Sequence, residues 1–542
     1  MGSIGQLPEW KQICVATVSQ EGILKAIEES DTELRKEGSD HFVSALVAAA
    51  AQPDQEQVAA NMVSPHPLLV PMNFIESLKE LHEALNLAVS NILDRWCEPS
   101  DSDDALSRRM PLFPHEEALL QWLYLRTQKG QFKCFHARGG HWRPDVLLSR
   151  KTTGDLSFQI CEINARFFSM NISPPFQVYR AVSSILTGVT GLRPPIDPDV
   201  LLERFCELFD TSRPIHLVLG RDSPSHMEAL CHLIERYTGI RPRIVTVSDL
   251  RLIPDMGSAT GYKLCTLCRT PHNGNKVFRN KDNGGFEELE EIYQVGLRLY
   301  QDEFGSLSAE MLQHLAIYSM NDMRAILLLG DKRILGIILQ ELDDLVSRYQ
   351  VLTPDQARLL REHIVPTILP GSPQLERLVC ENRAGKVRKE DYVIKPCREA
   401  RSIGISFGDE LSPSEWDSLL ASMQDPRLHS HKTQYVLQPV VGSPSFKALL
   451  DKEGPMREVN VVGEYHVFDG RFSHSQNPCQ ALAPSASGLA TANTRIRAAL
   501  LSVPNTQNVH VAGVGTTKTG YFIRFKGPES AETARNNTEW LN

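Results

Sequence analysis

Apolar positions along the chain change their period twice. Over the first 130 residues or so they recur at three- and four-residue spacing, in FVSALVAAAA, NFIESLKELHEALNLAVSNILDRW and HEEALLQWLYLRT, which predicts amphipathic helices separated by polar, turn-rich links. From residue 131 the period falls to two: DVLLSR, the turn KTTGD and LSFQICEIN predict a strand–turn–strand unit. Between 190 and 325, PIHLVLG and PRIVTVSDL read as fully apolar strands around the helix MEALCHLIERYTGI, a βαβ pattern that implies a parallel sheet. FEELEEIYQ predicts an acidic helix. ILLLGDK reads as a strand that hands Lys332 to the helix RILGIILQELDDLV, and LTPDQARLLREHIVP as a capped helix. QYVLQPVV is a strand broken at Pro439, which should leave backbone groups at Gln438 and Val440 free for a ligand. VVGEYHVFDGRF predicts a hairpin around Asp469-Gly470. Beyond 473 the chain is small, polar and turn-rich, an expected mobile segment, before a last strand GYFIRFK.

These textures divide the chain into a helical region 1–130, a strand-bearing segment 131–195, an α/β unit 196–325, a second mixed region 326–472 and a partly flexible segment 473–542. At 542 residues, several lobes are expected rather than one core. The hydrophobic content of 42% and charged content of 23% are those of a soluble fold. A net charge of −9 gives no basic footprint, which argues against nucleic acid as a partner. No apolar run reaches the ~20 residues that span a bilayer, and the first residues carry no leader pattern, so no membrane partner and a cytoplasmic location are expected. The 11 cysteines are sparse and irregular, as for free thiols in a reducing compartment, with Cys14, Cys161 and Cys380 placed inside apolar stretches. Cys265 and Cys268 have knuckle spacing, but without a second pair they read as strand neighbours.

The chemistry concentrates in DYVIKPCREARSIGISFG, Asp391 to Gly408. A short strand delivers Lys395, whose compact charge on a long stem suits phosphate oxygens, and Glu399 follows with the hard oxygen that Mg²⁺ prefers. Glu162 and Asn164, two apart at the end of LSFQICEIN, share one face of their strand and form half of such a metal site. Each piece alone is equally an ordinary strand end.

Taken in order, FQICEINARFFS, GDKR and VIKPCRE resemble the ATP-grasp superfamily, in the circularly permuted form of eukaryotic glutathione synthetase, and a related group of fungal secondary-metabolism ATP-grasp proteins. The resemblance covers about residues 130–472 and implies an α/β (α+β) ATP-grasp fold: antiparallel sheets around the nucleotide, an inserted parallel α/β substrate domain and a helical N-terminal region. It implies ATP and Mg²⁺ as cofactors. Lys332, Lys395, Arg401 and Lys526 would bind phosphates, Gln438, Pro439, Val440 and Val441 the adenine, and Glu162, Asn164 and Glu399 the metal. Arg143, Ser169 and Arg524 would face the substrate, with Arg398 and Arg143 at the reacting centre. The implied reaction is ligation of a small carboxylic acid or amino acid to an amine through an acylphosphate, in specialised metabolism; a homodimer is left open. Where the family has consecutive glycines after the glutamate, this chain has Ala400, Arg401 and Ser402, so a degenerate nucleotide-binding or scaffold protein without turnover is the alternative.

Overall fold

In the computed structural model, two small antiparallel sheets stand side by side and the rest of the chain is packed around them. The description covers residues 10–472 apart from 15–16, 18–24, 50–63, 65, 100–104, 152, 168–171, 188–193, 223, 269–276, 283–284, 401 and 450–453; beyond 472 it covers the strands Ser487–Ala490, His510–Thr517 and Gly520–Lys526.

The first sheet grows from the alternating segment. His141–Arg150 and Leu156–Asn164 pair antiparallel, with Arg143 opposite Asn164, Asp145 opposite Glu162 and a bulge after Asp145. Val462–Glu464 adds to the other edge, setting Glu464 opposite Asp145, and Val467–Phe468 continues along the same strand. The hairpin at Asp469-Gly470 forms with φ of 46° and 76°, conformations that suit Asp and Gly. In the second sheet Tyr392–Pro396 lies between Ser406–Phe407 and Tyr435–Pro439, with Val393 opposite Gln438 and Lys395 opposite Val436. The segment 364–368 joins the two sheets: Val365 N–H donates to the Ile160 carbonyl at 3.0 Å, and Ile368 N–H to the Leu437 carbonyl at 2.8 Å. These bonds satisfy buried backbone groups that would otherwise be left open, and they fix the spacing of the site.

The helices Met72–Asp94, Pro114–Gln128, Arg333–Ser347 and Pro354–His363 enclose this centre through a continuous apolar core that includes Trp142, Ile160, Leu335 and Leu360. The α/β unit contributes parallel strands His216–Leu219, Arg243–Thr246 and Val295–Arg298, in the order third, first, second, and a four-stranded antiparallel sheet beside them. Among the described residues no helix is long and apolar enough to cross a membrane.

Three local expectations are corrected. Gly285–Glu291 is a strand, because its glutamates find cations on other strands: Glu287 binds Arg251 at 2.9 Å, and Glu290 binds Arg243. Tertiary pairing overrides helix propensity there. Ala325–Leu329 is a π-helical turn rather than a strand; all five residues are buried, and a short run buried on every side has no period to read. Cys380 is exposed on the helix Pro373–Arg383, while Cys14 and Cys161 are buried.

Candidate functional site

The site lies where the ends of the two sheets meet the turn at Gly330. Asp331 and Arg333 lock together through two hydrogen bonds of 3.0 and 2.7 Å with both side chains fully buried. Arg398 enters the same cluster: its Nε donates to Asp331 at 2.8 Å, and its Nη1 to both oxygens of Glu116 at 2.8 and 2.9 Å. Burial raises the pKa of Asp331, but the Arg333 and Arg398 guanidiniums beside it outweigh that and hold it at about 2. The two acids and two arginines thus fasten the turn of Lys332 to the turn of Arg398. Lys332 N–H adds a bond to the Cys397 carbonyl at 2.9 Å.

The Lys332 ammonium lies between two of the expected metal ligands. It donates to the Glu399 carbonyl at 2.7 Å and pairs with Glu162 Oε2 at 3.3 Å. Glu162 and the Glu399 main chain are therefore brought to one cation, with Asn164 two residues further along the strand. The Asn164 side-chain N–H₂ is buried without a partner. Arg143 is buried and saturated: Asp145 takes it at 2.9 and 3.1 Å, and Glu464 at 3.1 Å. Burial alone would lower its pKa, but these carboxylates and Glu162 raise it. Asp145 and Glu464 are taken by Arg143 and Glu162 by Lys332, so the carboxylates here are occupied by cations, while Glu162 and Asn164 carry oxygen donors of the type Mg²⁺ takes.

Lys395 differs from its neighbours. It is 8% exposed on its strand, and among the described residues it makes no hydrogen bond or ion pair. Lysines are almost never buried unpaired. On the neighbouring strand Gln438, opposite Val393, is 1% exposed; its amide N–H₂ donates to Thr367 Oγ1 at 2.9 Å and to the Cys161 carbonyl at 3.3 Å, leaving Oε1 buried without a donor among the described residues. Pro439 closes the strand and Val440 is exposed beside Val441. The expectation that the backbone groups at Gln438 and Val440 are free is corrected: Gln438 is paired with Val393 in the sheet, and the Val440 N–H, one residue past the strand end, donates to the Asp391 carbonyl at 2.8 Å.

Sequence reading passed over Arg166 and Gln301. Arg166 donates to the Arg398 carbonyl and to Gln301 Oε1 at 3.3 Å, and its guanidinium lies 5.6 Å from the centre of the Tyr300 ring. No described carboxylate pairs with it directly; burial lowers its pKa, with the charge of Glu399 opposing. Gln301 Nε2 is buried and unpartnered, as is Arg398 Nη2. The signal for Arg166 was its place in the bend two residues past Asn164, where the strand Leu156–Asn164 ends. Gln301 gave none, because it belongs to another lobe.

Ser169 and Arg401 lie outside the described residues. Arg524 and Lys526 fall on the strand Gly520–Lys526, which pairs with His510–Thr517; their side chains are outside the description.

Three comparisons bear on this arrangement. A family model described as the AnkG N-terminal domain matches residues 81–328. A curated protein of Aspergillus thermomutatus, "ATP-grasp enzyme ankG", is 36% identical over 442 residues, covering 80% of this chain and 88% of that one. The apo structure of a glutathione synthetase-like effector, GSS30, of Globodera pallida aligns with 85% of this chain and 94% of its own at 13% identity and a TM-score of 0.44, a likeness too slight to carry an argument.

Proposed function

Because the chain belongs to the ATP-grasp family of ankG, we propose that it is an ATP- and Mg²⁺-dependent ligase that activates a small carboxylic acid as an acylphosphate and joins it to an amine. The observation that carries this reading is Lys395, a buried cation with no counter-charge among the described residues, which a phosphate would supply. Lys395 would bind phosphate oxygens, and Lys332 would join it by exchanging Glu162 for a phosphate. Gln438 Oε1, an unpaired buried acceptor, suits an exocyclic amine such as that of adenine. Glu162, Asn164 and Glu399 would hold Mg²⁺, which when bound neutralises the charge spread over the transferring phosphoryl group.

The protein's own groups then align and shield. Arg398, fixed by Asp331 and Glu116, keeps one buried N–H₂ pointing away from its clamp for a developing negative charge. Arg166 and Gln301 would hold the acid. Phosphoryl transfer needs alignment and charge neutralisation rather than a covalent nucleophile, and this set supplies both. The buried free thiols Cys14, Cys161, Cys206, Cys231, Cys265 and Cys397 suit a reducing, cytoplasmic setting.

The test is release of ADP and phosphate across a panel of carboxylic acids and amines, with calorimetry of Mg-ATP binding beside it. Acid- and amine-dependent ADP release supports the ligase. Mg-ATP binding without turnover under any acceptor supports the second reading, a nucleotide-holding protein; it is favoured by Lys332 being already satisfied by Glu162 and by the loop after Glu399, where Ser402 rather than glycine holds φ of 60°. Absence of both binding and turnover sinks the two together.

A further inference from the structure

Away from this site, the helix Met72–Asp94 ends where the 3₁₀ turn Phe135–Ala137 begins. Asp94, the last helical residue, accepts the Phe135 N–H at 2.5 Å through Oδ1, and its Oδ2 lies 3.3 Å from His136 Nδ1. An N–H at Nδ1 satisfies that contact and leaves Nε2 of the neutral ring as an acceptor. Nε2 lies 3.4 Å from Cys134 Sγ. Thiol, imidazole and carboxylate are therefore in series, the order in which a carboxylate orients a base and the base faces a nucleophile. Arg324, paired with Asp94 at 3.2 Å and Asp322 at 2.7 Å, stands beside this series. The thiol is half-buried rather than enclosed. Cys97 offers the contrast: burial, with Glu117 nearby, pushes its thiol up to about 12.

The same three side chains could approach a metal ion. The geometry favours thiol chemistry instead, because Asp94 already serves an amide, an imidazole and a guanidinium, and the Arg324 cation stands beside it.

We propose that Cys134 is a base-assisted nucleophilic thiol at which a low-molecular-weight disulfide of the glutathione type forms a mixed disulfide. His136 Nε2 takes the thiol proton as Sγ attacks one sulfur of the reagent. The reagent's S–S bond breaks as the new one forms to Cys134. The departing thiolate carries off the electron pair and takes up the proton; Cys134 is oxidised, half of the reagent is reduced, and no further oxidant enters. This uses nothing of the ligase site.

Cys380 provides an internal control, since it is more exposed than Cys134 and no described base faces its thiol. The full chain is treated with excess glutathione disulfide at neutral pH, and modification of each cysteine is followed by peptide mass mapping, with iodoacetamide as a second probe. Cys134 is expected to react roughly tenfold or more faster than Cys380, in line with what a positioned base contributes. His136→Gln is expected to bring Cys134 down to the rate of Cys380 while leaving the melting temperature unchanged, because His136 is a surface residue. Equal rates at Cys134 and Cys380 in the wild-type chain, or an undiminished Cys134 rate in His136→Gln, would overturn the proposal.

Discussion

Arg398 and Lys395 are three residues apart on one strand end, yet their charges are settled in opposite ways. Below the turn, Arg398 is held by Glu116 and Asp331, and Asp331 is held again by Arg333, so almost every charge is matched inside the protein. Above it, Lys395 is buried without a match among the described residues. A matched buried charge is architecture, since removing one partner strands the other; an unmatched one costs stability, which is the ground for proposing a ligand at Lys395. The difference separates residues that build the site from residues that use it.

The contrast breaks most visibly at Lys395. Lys395→Ala should lower ADP release by roughly a hundredfold or more while leaving thermal stability unchanged or raised, as scanning calorimetry would show; a marked loss of stability would put Lys395 with the architecture. Arg398→Ala should do the reverse first. It leaves Glu116 and Asp331 under-compensated, and urea unfolding should report a loss of about 3–5 kcal/mol.

A change of pH loads matched and neutral interior groups differently. His66 and His82 are buried, and burial lowers both to about 4 from 6.5. Between those values the unfolded chain binds more protons than the folded one, so the stability these histidines contribute is complete above about pH 6.5 and is lost as the pH falls toward 4. Each should cost on the order of 3 kcal/mol across that window. Asp331, held near 2, should contribute no loss there. Melting temperatures measured from pH 7 to 4 check this, and a flat profile would contradict the burial of both rings.

Glu162→Gln keeps the size of the side chain and removes its charge, releasing Lys332 from its 3.3 Å partner. The Mg²⁺ concentration for half-maximal turnover should rise roughly tenfold or more, with a smaller change in stability than Arg398→Ala. The smallest effect belongs to the loop. Ser402 sits at φ of 60°, a conformation that costs a side-chain-bearing residue about 1–2 kcal/mol. Ser402→Gly removes that strain but adds freedom to the unfolded chain, for a net gain of about 0–1 kcal/mol by urea unfolding.

Much of this was legible in the chain because it depends on local period and residue type. The alternation through LSFQICEIN put Glu162 and Asn164 on one face, the strand before Pro396 delivered Lys395, and the βαβ rhythm gave the parallel sheet. These features need no information beyond a few residues on either side. Which cations are spent and which are free could not be read in that way. Arg143, Arg398 and Lys395 look alike in sequence, and only the meeting of strands and helices far apart in the chain gives Arg143 its Glu464 and Arg398 its Glu116, and leaves Lys395 without a partner among the described residues. Charge pairing is a property of three-dimensional neighbours: the sequence by itself determined which cations and carboxylates the chain offers, and the tertiary structure decided which of them are paired.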